Sequence, residues 1–449
     1  MNIITLMHQY SRPLFIIALV TGGLLTSCRQ KQVSTQQNPL KTQAQLQLDS
    51  IAIQLAGDTA IKSAENETMK LYKQDSTYKI HDAQVTLKQD IERLAYAAIE
   101  ETVIKYSPEP QFLWIDHAPR QWDSLTVPGS QFGFDNPDNV YRITYLDSTS
   151  QYEIYLHRLE KAPIQESFEW FDGSTGSITT SKHLGFIQVK DLKPESNGDY
   201  ILTASPRAEP SNPNHLQISK PLVNIIYRNT YSNWADQTPS FIDIKRVDGK
   251  RFPAISRAVL VVQSVATFKT FSTFLLKIKA LTSTSPVNTL RKPFSRDGGW
   301  GFAAAGRFKI SKDEAWVITL NPRGAKYLGF ELADPWLASL EYIQHTGSLN
   351  ITQAKPDMHG NYTYVIAATD PGANNWLDTH GLTEGSLFIR WQAFPVNLKT
   401  IDDAIVNQQV VKLANISQVV PDDAFNQTPE SRKALATARA QSYQRRLNP

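Results

Sequence analysis

At 449 residues the chain exceeds one ordinary hydrophobic core, and usual domain sizes divide it into two or three domains. Its 46 Lys and Arg nearly cancel its 43 Asp and Glu, so no global basic field draws it to nucleic acid, which is not an expected partner. Aromatic residues at 10%, with Pro (25) outnumbering Gly (21), favour strands and rigid turns over long helices.

The chain opens with the layout of an export signal. His8 and Arg12 lie in a short polar lead, and the apolar residues 13–25 that follow are too few to span a bilayer comfortably. Leu25-Thr26-Ser27-Cys28 then resembles the bacterial lipobox, with a small residue just before the cysteine. The resemblance implies cleavage after a signal peptide of residues 1–27 and lipidation of the Cys28 thiol. Cys28 is the only cysteine, so it has no partner for an internal disulfide and no zinc cluster to join. Several acyl chains, at about 0.8 kcal/mol per buried methylene, make a slow-releasing anchor. The expected location is the bacterial cell envelope, and Arg29 after Cys28 sorts such proteins to the outer membrane by the habit of enteric bacteria. Residues 28–48, rich in Gln, Lys, Thr and Ser, read as a solvated tether.

Residues 49–130 read as a helical and irregular N-terminal segment. Within them Ile91, Leu94, Ala95, Ala98 and Ile99 recur at helical spacing and predict an amphipathic helix over 81–106. Pro, Gly, Asp and Trp then fill an irregular stretch over 108–139. Strand-like runs at 141–145, 152–156, 166–171, 185–189, 200–204 and 222–227 make 131–250 a first antiparallel β-sandwich lobe. Residues 251–298 form a linker whose helix, over 255–281, sets Ile255, Ala258, Val262, Val265, Leu275 and Ile278 on one face. Gln263, Lys269 and Lys277 interrupt its apolar run, so a buried helix fits better than a membrane span. A second sandwich lobe occupies 299–397, and 398–449 is an extension ending in a helix capped by Thr428-Pro429-Glu430. That helix carries Arg432, Lys433, Arg439, Arg445 and Arg446 as a basic face. The fold class is therefore mainly β with accessory helices: two related sandwich lobes linked by a helix, plus helices at both ends.

The relation between the lobes is an internal repeat. Gly198-Asp199-Tyr200 matches Gly360-Asn361-Tyr362, Asn214 matches Asn375, and Arg228 matches Arg390, with spacings of 16 and 14 residues in the first copy against 15 and 15 in the second. Upstream, Phe168-Glu169 faces Phe330-Glu331.

The second copy also carries Lys326-Tyr327-Leu328-Gly329-Phe330-Glu331-Leu332, Pro335-Trp336, Ser348-Leu349-Asn350, and Asp370-Pro371-Gly372 leading to Asn374-Asn375-Trp376-Leu377-Asp378 and Arg390. Over 299–395 these motifs resemble the bacterial family named domain of unknown function 1214, often found with domain 1254. Residues 134–142 look like the Asn-x-Asp-x-x-Tyr turn of related proteins. The resemblance implies β-sandwich lobes and supplies little chemistry, since the family has no settled general activity.

Candidate site residues follow from chemistry and repeat position. Arg228 and Arg390 stand beside aromatic residues, where a guanidinium forks onto a ligand carboxylate or phosphate, or onto an internal acid such as Asp370 or Asp378. Asp135, Asp138, Asp334, Asp370 and Asp378 suit a hard divalent cation if their loops converge, or ordinary tight turns if they do not. Trp300, Trp336, Trp376 and Trp391 suit a ring-binding floor or a core. His345 is either a base or a loop hydrogen-bonder, and no Gly-x-Ser-x-Gly, His-Glu-x-x-His or phosphate loop accompanies it. The loops carrying Trp336, Tyr342, His345, Asp370, Asn374, Trp376 and Asp378, with Arg390 behind them, are expected to line the main pocket and face Asp135 and Tyr141. The functional expectation is an envelope protein binding a small molecule, a glycan or an envelope partner at the junction of its lobes. The alternative is a hydrolase or lyase, with or without the assistance of a metal, with its site in the loops of the second lobe; enzyme status and cofactor stay open. The Cys28→Ala chain is expected to take up no labelled fatty acid and to accumulate at precursor mass, and lipid labelling of that variant rules out anchoring through Cys28.

Overall fold

The computed structural model describes residues 38–173, 182–421, 424–425 and 427–448, and the expected signal peptide and Cys28 lie outside them. The helices α1 (Gln43–Ala56), α2 (Thr59–Tyr72) and α3 (His81–Lys105) come first. The predicted tether therefore ends sooner than its composition suggests, because Leu40 and Leu48 are buried and α1 begins at Gln43. Its buried face is partly polar, which is why periodicity missed it. Gln45 donates to Asp49 (3.0 Å) and accepts from the Trp114 backbone (2.7 Å), while Asp49 takes Arg120 at 2.8 Å.

The first lobe holds β1 (Leu113–Ile115), β4 (Asn139–Asp147), β5 (Tyr152–His157), β6 (Gln165–Asp172), β7 (His183–Gln188), β8 (Tyr200–Ser205), β9 (His215–Gln217), β10 (Leu222–Thr230) and β11 (Phe241–Arg246), with the hairpin β2 (Arg120–Trp122) and β3 (Leu125–Val127) beside it. Helix α4 (Arg257–Ser283) leads to the second lobe: β12 (Phe294–Arg296), β13 (Gly301–Lys309), β14 (Glu314–Leu320), β15 (Tyr327–Ala333), β16 (Ser348–Asn350), β17 (Tyr362–Ala367), β18 (Trp376–Asp378), β19 (Glu384–Gln392) and β20 (Ile405–Lys412). Helix α5 (Pro429–Leu447) ends the chain. Each lobe thus reaches beyond the expected bounds, since β1 precedes residue 131 and β12 and β20 flank 299–397. The three-residue strands β1 and β12 carry too little alternation to be seen in sequence, and the eight-residue β20 has the polar run Asn407-Gln408-Gln409 at its centre.

The strand orders of the two lobes coincide. The sheets β1-β4-β10-β6-β7 and β12-β13-β19-β15-β16 correspond strand for strand, as do β11-β5-β8-β9 and β20-β14-β17-β18. One parallel pair per lobe, β8 with β9 and β17 with β18, departs from the antiparallel expectation at the same place in each. The repeat residues occupy equivalent sites. Asn214 binds the backbone of Lys193 and Ile201, and Asn375 binds Lys355 and Thr363. Gly198 and Gly360 adopt φ of 85° and 77° in matching turns, a left-handed conformation that glycine enters without a Cβ clash.

Alternation places Val223, Ile225 and Tyr227 inside the first sandwich and Leu387, Ile389 and Trp391 inside the second. The intervening residues, Ile226 and Arg228 on β10 and Phe388 and Arg390 on β19, face outward toward the other lobe. Helix α3 spans both lobes: Asp82 accepts from the Thr383 and Glu384 amides (2.7 and 2.8 Å), and Glu100 meets His117 at 2.8 Å. Helix α4 packs on α2 and α3, with Tyr72 donating to the Ser272 carbonyl (3.1 Å) and Tyr106 to Gln263 (2.9 Å). Its buried face runs through Val261, Phe268, Phe271 and Leu275, whereas Val262, expected inside, is 64% exposed. The basic face of α5 is likewise docked, with Arg439 donating to the Ser348 carbonyl and Arg446 to the Pro137 carbonyl, both at 2.8 Å. Replacing Asn214 or Asn375 by Ala leaves three backbone groups without their partner in either lobe, and each substitution is expected to cost about 1–3 kcal/mol in urea unfolding.

Candidate functional site

A cavity of about 240 Å³ lies between the outer faces of the two five-stranded sheets. The first lobe contributes Asp116 from the end of β1, Tyr141 from β4, Arg228 from β10, and Phe132, Phe134 and Asp135 from the connection into β4. The second contributes Arg296 from β12, Trp300, and Phe388 and Arg390 from β19.

Two of the three guanidinium groups are held by equivalent acids. Register sets Glu169 opposite Ile226 and Glu331 opposite Phe388, so in each lobe the acid lies diagonal to the arginine two residues on. Arg228 donates to Glu169 and Arg390 to Glu331. Arg228 also lies 4.6 Å from the Trp300 ring centroid, and Arg390 donates to the Phe134 carbonyl at 2.6 Å. That bond, with the Phe134 amide donating to Leu337 O (2.9 Å), holds Phe134 at a strained φ of 63°. Burial pushes Glu331 up to about 8 even with Arg390 beside it.

Arg296 has no acid within ion-pair distance among the described residues; its guanidinium lies 5.4 Å from the Trp300 ring. Burial, and then the charges of Arg390 and Arg228, push it down to about 10, so it remains a cation at neutral pH. Asp116 sits at φ 52° with its Oδ1 buried and unpartnered. Burial, then the charge of Asp135, raises its carboxyl well above the usual carboxylate range. Asp135 accepts from the Ser339 hydroxyl (2.9 Å) and amide (3.2 Å), and burial still lifts it to about 6. The Tyr141 hydroxyl accepts from the Asn136 amide at 3.1 Å. A guanidinium with no acid within ion-pair distance among the described residues and a carboxyl that burial holds well above its usual range thus stand among rings, an arrangement that takes an anionic head with an apolar body.

The structure brings Asp135, Tyr141, Arg228 and Arg390 together, with Trp300, but it sends the rest of the expected pocket elsewhere. Trp336 is core, its Nε1 donating to the Ala83 carbonyl (2.8 Å). Tyr342 packs with Trp234 and Tyr443. Asp370 pairs with Arg432 at 2.9 Å, and the same guanidinium lies 5.1 Å from the Trp376 ring. Asn374 accepts from Gln427. His345 and Asp378 meet at 2.8 Å on another part of the second lobe. α5 and the turn before it occupy the Asp370 and Asn374 side chains and the Tyr342 carbonyl, so these groups close the sandwich instead of lining the cleft. The five aspartates expected around a hard cation do not share a cage either. Asp138 is taken by Trp234, Asn350 and Tyr327, and Asp334 by the amides of Trp336 and Ala338. The arginines' acids are Glu169 and Glu331 in place of Asp370 or Asp378, and the Phe-Glu match of the repeat already pointed to them. Asp116 and Arg296 carry no sequence signal beyond their place in short edge strands.

No protein-family profile matches the sequence, and no curated protein matches it. The fold is similar to that of an uncharacterized protein from Burkholderia cenocepacia, with a TM-score of 0.63 at 20% identity over 81% of this chain and 99% of that one. The VPA0106 protein from Vibrio parahaemolyticus aligns at a TM-score of 0.40 and 10% identity over 72% of this chain and 98% of that one. The first likeness shows the fold alone, and the second carries no argument.

Asp135 makes stability depend on pH. Its carboxyl binds a proton more tightly in the folded state than the ordinary value near 3.9, so folding loses free energy as pH rises from about 4 to about 6. Urea unfolding at the two pH values is expected to show this decline shrinking by roughly 2 kcal/mol in Asp135→Asn.

Proposed function

We propose that this chain is a lipid-anchored protein of the bacterial envelope whose cleft between paired lobes binds a small molecule bearing a carboxylate or phosphate beside an apolar or aromatic body. The observation that carries the reading is Arg296, a cation lining the same cleft as the paired guanidinium groups of Arg228 and Arg390, with no acid within ion-pair distance among the described residues. Trp300, Phe134 and Phe388 supply the apolar walls. The lipobox at Cys28 and the Arg29 that follows support the envelope, on the outer-membrane side, and the motifs of 299–395 support kinship with domain of unknown function 1214. A glycan or an envelope protein fits less well, because a cavity of about 240 Å³ with guanidinium groups suits a compact anion.

Asp116, which shares the cavity with Asp135 and whose carboxyl burial holds well above the usual range, favours a second reading in the same cleft, a hydrolase or lyase with Asp116 as proton donor. Calorimetry with phenyl phosphate, benzoate and hexanoate separates these readings from neither. Binding by wild type that weakens about 10–100-fold in Arg296→Gln, at unchanged melting temperature, is the expected result. Undiminished binding by Arg296→Gln, or no binding of any of the three by wild type, overturns the proposal; turnover of a matching ester, lost in Asp116→Asn while binding persists, selects the second reading.

A further inference from the structure

Away from the cleft, two loops of the second lobe bring His345, Asp378 and His380 together, one ligand atom from each lying within 4.8 Å of the others. His345 Nδ1 lies 2.8 Å from Asp378 Oδ2, and the two imidazole rings stand 4.5 Å apart between centroids at an interplanar angle of 87°.

Both loops are fixed by bonds that leave the ligand atoms available. The Glu341 carboxylate accepts from the amides of Ile343, Gln344 and His345, which sets the first loop. In the second, Asp378 Oδ1 accepts from the His380 amide (2.8 Å), its own amide donates to the Thr346 carbonyl (3.1 Å), and the Thr379 hydroxyl closes onto Leu382 O (2.6 Å). The His380 backbone is left-handed at φ 54°. The side chain of Asp378 is 10% exposed and that of His345 is 43% exposed, while His380 is open to solvent, so a cation reaches the group from water.

The sister lobe shows that the fold does not require this trio. Register sets Ala367 against Asp378 in the second lobe and Ser205 against Gln217 in the first, so Gln217 holds the position of Asp378. Two residues on, the first lobe has Ser219 where the second has His380. The same strand pairing forms without an acid or an imidazole there.

We infer that His345, Asp378 and His380 form a binding site for a divalent transition cation of the zinc class, with water in the remaining coordination position. Two imidazole nitrogens and one carboxylate oxygen match zinc, cobalt and nickel, whereas calcium and magnesium prefer oxygen throughout. Exposure leaves a coordination position open to solvent, as sites that exchange or activate a ligand do. The site is independent of the cleft, and its failure leaves the reading of the cleft untouched.

The test is titration of the full chain, purified without a polyhistidine tag, with Zn²⁺ by calorimetry and with Co²⁺ by visible absorption. Wild type is expected to bind one Zn²⁺ and to give the intense visible bands of low-coordinate Co²⁺, with millimolar Mg²⁺ failing to compete. His345→Ala, His380→Ala and Asp378→Gln, the last copying the sister lobe, are each expected to weaken Zn²⁺ binding at least about tenfold. His359→Ala, at an exposed turn elsewhere in the lobe, is expected to leave it unchanged. Circular dichroism melting identifies variants that keep the fold. Wild-type Zn²⁺ binding that survives in folded His345→Ala and His380→Ala, or that falls equally in His359→Ala, overturns the inference, as does no binding at 100 micromolar, roughly the weakest affinity an exposed three-ligand site is expected to show.

Discussion

Asp138 enters the fold from a turn of the first lobe, and the rest of the molecule is assembled around where its buried carboxylate goes. One oxygen accepts from Trp234 Nε1 in the first lobe and from Asn350 Nδ2 in the second, both at 2.7 Å, and the other accepts from the Tyr327 hydroxyl at 2.8 Å. Its neighbour Pro137 offers its carbonyl to Arg446 of α5. A carboxylate cannot be buried without such partners, so the three elements that supply them are obliged to meet. Burial still raises the Asp138 carboxyl above its usual value, which shows how far from water the junction lies. The same stretch carries Phe134 and Asp135, and the contact that joins the lobes thereby also builds the wall of the cleft.

The cleft follows from duplication. Two copies of one sandwich, joined by α4, turn equivalent strands β10 and β19 toward a common space, and each brings an arginine with its diagonal glutamate. Two fixed guanidinium groups result, each hydrogen-bonded to its own glutamate. The edge strands break the symmetry: Asp116 follows β1, and β12 ends in Arg296. The repeat alone gives each arginine a glutamate partner, and the divergent edge adds Arg296, which has no acid within ion-pair distance among the described residues. The trio of His345, Asp378 and His380 is a second such divergence, confined to the later copy.

Much of this was legible in the chain. Regular alternation of buried residues fixed the longer strands, the three-and-four spacing of Ile91, Leu94, Ala95, Ala98 and Ile99 fixed α3, and matched spacings of Gly, Asn and Arg exposed the repeat. Those signals are local, because side-chain direction alternates along a strand and recurs every turn of a helix. Asn214 and Asn375 were identifiable because binding three backbone groups at once demands a carboxamide at one spot in each copy. Arg228, Arg390, Asp135 and Tyr141 were likewise found from repeat position and motif.

Only the tertiary structure decided which polar residues share a space. Helix α1 buries Gln45 and Asp49 against Arg120 and Trp114, partners about 70 residues away, so its own composition read as a solvated segment. The loops around Tyr342, Asp370 and Trp376 had the composition of a pocket, and the docking of α5 consumed their hydrogen bonds. Asp116 and Arg296 become a site only because the long intervening chain, residues 117–295, returns β12 beside β1's lobe, a closure that no local pattern encodes. Sequence determined the elements, their repetition and the residues that local backbone geometry requires. Charge balance in the cleft depended on distances between lobes, and those are set by packing and by where buried charges find their partners.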